Sequence, residues 1–165
     1  MLAKADFYYG AFLSKLINSG IVPAIIEKSD NRRIYKLETD FGNYIVYTKY
    51  LSKPSNNRQD KLWHFSFNLD ELNKILQVES INMFAFICGV KDLVDSEVVI
   101  LSREQFKQCI GMDFMVDNRR ISVKSEKGSR IFWVYGTGLE LKENPLKVTK
   151  NLNNRLNEFS MLSVK

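Results

Sequence analysis

One histidine and two cysteines in 165 residues leave little room for several classes of chemistry. Cys88 and Cys109 form no C-x-x-C pair, so neither a zinc finger nor a His-rich metal centre can be assembled. No G-x-G-x-x-G or G-x-x-x-x-G-K-[ST] loop is present to cradle phosphates through backbone amides. No G-x-S-x-G elbow is present to carry a hydrolase serine. The longest apolar run, around Met83 to Cys88, is too short to span a bilayer. Lys4 and Asp6 interrupt the N-terminal apolar pattern, which therefore lacks the core of a signal peptide. Both cysteines stand in apolar surroundings and read as buried, reduced thiols. These absences predict a soluble, cytoplasmic chain with no membrane partner. No 20- to 50-residue repeat, low-complexity stretch or domain boundary interrupts it, so residues 1–165 read as a single domain.

What is present is ordinary in amount and uneven in charge. Hydrophobic residues make up 45% and charged residues 26%, which fits a globular core and argues against disorder. Lys and Arg outnumber Asp and Glu by 24 to 19, a net charge of +5 that permits an acidic partner such as DNA or RNA.

Periodicity predicts a helix over Leu2 to Asn18, with Tyr9, Leu13, Leu16 and Ile17 on one face and Gly20 as its stop. Ile21 to Glu27 reads as a strand with Pro23 near its start. Ile34 to Thr39 and Tyr44 to Leu51 alternate about Asp40-Phe41-Gly42-Asn43 and read as a hairpin. Ser52 to Lys61 is a polar loop, and Trp63, Phe65 and Phe67 alternate with His64 and Ser66 on a half-buried strand. Asn68 with Glu71 has the form of a capping box opening a helix with Leu69, Leu72, Ile75 and Leu76. Strands over Met83 to Gly89 and Glu97 to Leu101 follow. Ser102 with Gln105 then opens a helix carrying Phe106, Cys109 and Ile110, which Gly111 stops. Arg120 to Lys124 and Arg130 to Gly136 read as two strands, and a last helix starts at Asn151 with Leu152, Leu156 and Phe159 on one face. The predicted class is α/β or α+β, a central mixed sheet flanked by helices.

The stretch with most chemical content runs from Ile34 to Phe67. With Asp40 facing Asn43, Ile34 opposes Lys49, Lys36 opposes Tyr47, and Tyr35, Leu37, Tyr44 and Val46 share the more apolar face. Glu38 then opposes Ile45, on the order of 13 Å along the strand from Lys49. His64 beside Ser66 could act as a general base, but alternate strand residues do not make a triad, and a lone strand histidine is more often structural.

The order of helix, hairpin ending in Tyr47-Thr48-Lys49, aromatic strand, helix and later strands resembles the restriction-endonuclease-like proteins of the PD-(D/E)XK superfamily. FAFICG, EVVILSREQF and RISVK are similar to the strand and strand-to-helix pattern of its small nuclease-like members. YIVYTK with WHFSF is similar to small uncharacterised bacterial proteins of that type. The resemblance covers the chain up to about Ser125 and implies a bacterial or phage nuclease-like fold. In that family two acidic groups and a lysine gather at a sheet edge. The carboxylates hold Mg²⁺, which neutralises phosphate charge and activates water, while the lysine stabilises developing charge. Carried onto this chain, the lysine is Lys49, the first acid is Asp40 or Glu38, and Glu27 is a substitute. The position two residues before Lys49 is Tyr47, neutral near pH 7 and a poor Mg²⁺ ligand. The resemblance thus implies a degenerate metal site, with Mg²⁺ as cofactor only if the chain is catalytic, and the residues themselves favour Lys49 as a solvated strand lysine.

Two basic clusters complete the picture. Arg119, Arg120, Lys124, Lys127 and Arg130 face a single Glu126 in sequence, and Lys53, Arg58 and Lys61 flank the loop that follows Lys49. Facing one way, they would form a phosphate-binding strip on which Tyr50 and Trp63 stack bases. The expected function is nucleic-acid binding on a nuclease-like fold. The alternative is a non-enzymatic protein-interaction, immunity or regulatory factor anchored by exposed aromatics.

Overall fold

From Arg32 to Leu51 the side chains alternate between core and surface, and this stretch folds as an antiparallel hairpin. The computed structural model describes residues 1–28, 32–39, 42–78, 80–111, 118–140 and 143–163. The hairpin strands are β2 (Arg32–Thr39) and β3 (Gly42–Leu51), preceded by α1 (Lys4–Asn18) and β1 (Val22–Lys28). Then follow β4 (Lys61–Phe67), α2 (Leu69–Gln77), β5 (Ile81–Cys88), β6 (Glu97–Ser102), α3 (Arg103–Ile110), β7 (Arg119–Ser125), β8 (Ile131–Gly136), β9 (Leu146–Thr149) and α4 (Leu152–Ser163).

The mixed α/β class expected from the sequence is the class of the structure. The central mixed sheet has the order β1-β2-β3-β5-β6, with β5 parallel to β3 and the other pairs antiparallel. A second, wholly antiparallel sheet accompanies it, in the order β4-β7-β8-β9. Its outer strand β9, four residues long, is too short to show a period and was not foreseen.

The hairpin register differs from expectation by two residues. Thr39, one residue earlier than Asp40, closes the strand pair opposite Gly42, whose φ of +143° suits glycine. Arg32 therefore opposes Lys49, Ile34 opposes Tyr47 and Glu38 opposes Asn43. A shift of two preserves the faces, because strand side chains alternate with period two. Tyr35, Leu37, Tyr44 and Val46 accordingly share one buried cluster, as predicted.

Each face of the central sheet is covered. On one side α1 and α4 lay Tyr8, Tyr9, Phe12, Leu16 and Phe159 against Tyr35, Val46, Met83 and Ile100. Helix α1 uses Tyr8 and Phe12 where the predicted face had Ile17, which is 58% exposed. Arg33 ties α1 to β2 through an ion pair with Asp6 at 3.0 Å. On the other side lie α2, α3 and the inward face of the second sheet, with Trp63, Phe65, Phe67, Phe84, Phe86 and Phe106 in one cluster. The Phe84 and Phe106 rings are parallel with centroids 4.0 Å apart. Ser102 with Gln105 forms the full expected capping box, whereas at Asn68 only half of it forms: Asn68 accepts from the Glu71 amide at 2.8 Å while the Glu71 carboxylate goes elsewhere. Cys88 and Cys109 are free, buried thiols, and burial pushes Cys109 up to about 12.

Phe106 joins α3 to both sheets, so Phe106→Ala should destabilise the fold by roughly 3–5 kcal/mol in denaturant titration. Phe7, at 49% exposure, is the control: Phe7→Ala should change stability by no more than about 0.5 kcal/mol.

Candidate nucleic-acid interface and the Lys49 cleft

Tyr47 and Lys49 are two residues apart on β3 and therefore share a face, and Arg32 lies opposite Lys49 on β2. The residue that gathers them is Glu71, from the first turn of α2, where the helix dipole favours a carboxylate. The Tyr47 hydroxyl donates to Glu71 Oε1, Lys49 Nζ lies 3.3 Å from Glu71 Oε2, and an Arg32 guanidinium nitrogen lies 3.8 Å from Oε1. Lys49 also donates to the Ser66 carbonyl at 2.6 Å and sits over the Phe67 ring at 4.3 Å. Its side chain is 13% exposed, so it is not the solvated strand lysine that the sequence allowed. Burial pulls the Lys49 ammonium below its ordinary pKa, and the Glu71 charge opposes that pull. Burial and then Glu71 push the Tyr47 hydroxyl upward, which keeps it a donor. Arg32, Lys49 and Glu71 line a cleft of about 680 Å³ together with Asn68, Asp70 and Lys74.

These residues do not fit a Mg²⁺ site. Both Glu71 oxygens are engaged by a phenol and two cations, which neutralise the charge that a hard cation needs. Glu38 sits six positions along β3 from Lys49, exposed beside Lys36 at 3.9 Å, and Asp40 lies outside the described residues. The backbone of Glu27 pairs with Ile34, two strands from Tyr47. Among the described residues no three His, Cys, Asp or Glu side chains converge as a metal-binding group. Glu71 was foreseen only as a capping residue. The sequence offered no sign that its carboxylate turns away from the cap and into the cleft.

The basic clusters are sorted by strand alternation. In the β4–β7 pair, Trp63, Phe65 and Phe67 face the core opposite Val123, Ile121 and Arg119. Arg119 is accordingly buried and donates to the Gly111 carbonyl, a structural use rather than a surface one. Leu62, His64 and Ser66 face outward opposite Lys124, Ser122 and Arg120. Continuing across the sheet, Lys124 opposes Trp133, which opposes Lys147, and Ser122 opposes Tyr135. The outer face of the second sheet thus carries Arg120, Lys124 and Lys147 around the partly exposed rings of Trp133 and Tyr135.

The loop before β4 joins this face. Asp60 accepts from the Lys127 amide at 3.2 Å, which docks the loop on the β7–β8 connection. Arg58 and Lys124 then line one hollow of about 440 Å³ with Leu62 and Tyr135. Lys127 and Arg130 are exposed at the end of the hairpin, and Lys61 is half-buried on the Trp63 side of β4. Lys53 is exposed but lines a separate hollow with Lys4 and Lys91. Glu126, 3.6 Å from Lys124, offsets part of the positive charge.

The expected stacking residues are elsewhere. Trp63 is 1% exposed and donates through its indole to the Gly89 carbonyl at 2.8 Å. Tyr50 stacks on Tyr8, centroids 5.0 Å apart. Trp133 and Tyr135 are the aromatics that face outward, and the apolar run IFWVYG hid which of its rings would do so. His64 pairs with Ser122 at 2.8 Å, not with Ser66, and Ser122 is fully buried, so the two form no accessible nucleophile–base pair. Burial, and then Arg120, draws the His64 pKa below its ordinary value.

No protein-family model, curated protein or solved structure matches the chain. No helix among the described residues is long and apolar enough to cross a membrane.

Removing the Glu71 charge strands Lys49 in a poorly solvated place. Glu71→Gln should cost about 1.5–3 kcal/mol in denaturant titration, and adding Lys49→Met to Glu71→Gln, which keeps an acceptor for Tyr47, should recover most of it. A single-variant cost under about 0.5 kcal/mol would show the pair to be solvent-screened.

Proposed function

We propose that this chain binds nucleic acid through the outer face of the β4-β7-β8-β9 sheet. The observation that carries the reading is that one residue from each basic cluster meets there: Arg58 and Lys124 line one hollow, and Arg120 stands further along β7 on the same face. Lysine and arginine displace condensed counterions from a phosphate backbone, which supplies affinity without reading sequence. A nuclease-like scaffold remains part of the proposal. It is supported by the helix, hairpin, strand and helix order around Tyr47-Thr48-Lys49. Cleavage is not, because Glu71 is occupied by its own cluster, and the reading is of a binding protein.

A second reading has one observation in its favour. Phe7 and Leu93 are each about half exposed and line a hollow with Lys4, Lys53 and Lys91. Such a surface suits a protein partner, and its use would appear as co-purification lost in a Phe7→Glu variant.

With Arg58, Arg120, Lys124 and Lys147 on phosphates, log affinity should fall with log salt at a slope of about −3. Arg120→Glu with Lys124→Glu should weaken binding at least about tenfold and flatten the slope by about 1.5–2. Fluorescence anisotropy at several salt concentrations measures both. Absent or salt-insensitive binding to every oligonucleotide sinks the proposal.

A further inference from the structure

We infer that the nucleic acid this face takes is single-stranded, with successive bases laid on Trp133 and Tyr135. The inference rests on the nucleic-acid reading above and adds the class of ligand. Trp133 and Tyr135 are alternate residues of β8, so their rings rise from one face about 7 Å apart. That spacing suits neighbouring bases of an extended strand. Both residues are partly exposed, while Val134 between them is buried in the core.

Cations stand on both sides of this platform. Lys124 lies opposite Trp133 on β7, and Lys147 lies opposite it on β9. The Lys147 ammonium sits 5.2 Å from the centroid of the Trp133 ring, where it covers a π face with a flexible, exposed side chain. A base can replace that ammonium on the ring while the ammonium moves to the adjoining phosphate, so stacking and charge pairing are gained in one exchange. Arg120, one pleat beyond Ser122, extends the cationic row towards Ser66. Across the same row the partly exposed His64, held by its 2.8 Å contact with the buried Ser122, adds one polar ring near Tyr135.

A duplex fits this surface poorly for two reasons. Its bases are stacked on one another, so no π face is open to Trp133 or Tyr135. A four-stranded sheet, at about 4.8 Å between strands and with side chains on its edges, is also wider than the roughly 12 Å major groove that admits a two-stranded ribbon. Cationic side chains alone would favour the duplex, which has the higher phosphate density. The aromatic pair therefore decides the preference.

The test compares fluorescein-labelled 20-nucleotide oligothymidine and oligouridine with a 20-base-pair DNA duplex, by anisotropy at one salt concentration. Both single strands should bind at least about tenfold more tightly than the duplex. They should also quench tryptophan emission, which reports on Trp133 because Trp63 is buried. Trp133→Leu and Tyr135→Leu should each lose about tenfold for the single strands and much less for the duplex. Trp133→Phe should keep most of the affinity. Thermal melting of each variant separates lost stacking from lost folding, and the wild-type quenching needs no variant. Oligothymidine bound as tightly as oligouridine supports the stacking account, since neither the sugar nor the C5 methyl is needed by it. Binding that favours the duplex, or single-strand binding without quenching, overturns the inference and leaves the nucleic-acid reading standing. No binding to any of the three removes both.

Discussion

Phe65 and Phe67 on β4, Phe84 and Phe86 on β5 and Phe106 on α3 meet where the second sheet closes over the central one. Everything proposed for the surface depends on that contact. Aromatic rings of this size each bury a large apolar area, and their tilted and edge-on pairings fix orientation as well as distance. With the inward face of the second sheet committed to this cluster, alternation leaves its other face no choice but to point away. The same cluster anchors α2 and so brings Glu71 to the end of β3. One packed layer thereby sets both a closed polar cluster and an open polar face.

The two sites differ in what holds their charges. At Lys49 each cation has a near partner, and the shared carboxylate is 12% exposed, so the arrangement is self-compensated. Replacing any one member leaves the others poorly solvated, which is the behaviour of a structural cluster. On the second sheet, Arg120 and Lys147 are exposed, and among the described residues only Lys124 of these three cations has a close acidic neighbour. Charges in that setting cost little to keep and are available to a ligand. Position on the chain does not distinguish the two, since Lys49 and Lys124 both lie late in amphipathic strands.

The sequence made the scaffold legible where periodicity was strong. The β2–β3 faces, the α3 capping box, the buried thiols and the α4 face were all readable because burial enforces spacing. The hairpin register was not, because moving a reversal by one residue keeps every face and leaves no trace in the pattern. Glu71 was hidden by having two plausible jobs: its backbone amide takes the cap, as foreseen, while its side chain serves Tyr47 and Lys49. Trp63 and Trp133 illustrate the remaining limit. Each sits in a short aromatic strand, and only knowing which face meets the core tells that the first is inside and the second outside.

Arg119 and Arg120 carry that point to its consequence. They are neighbours of the same type, yet one is held under the sheet by the Gly111 carbonyl and the other stands outside it opposite Ser66. What separates them is Ile121 and Val123, whose burial fixes the phase of β7. A slip of one residue would bring Arg120, Ser122 and Lys124 against Phe65 and turn Ile121 and Val123 to water. Burying unpaired charges and exposing branched side chains would each cost several kcal/mol. The position of the cations is therefore set by apolar residues that never touch a ligand. Outward charges on β7 can be reversed without disturbing the core, whereas the inward Arg119 cannot, even though the sequence presents the two arginines as equivalent.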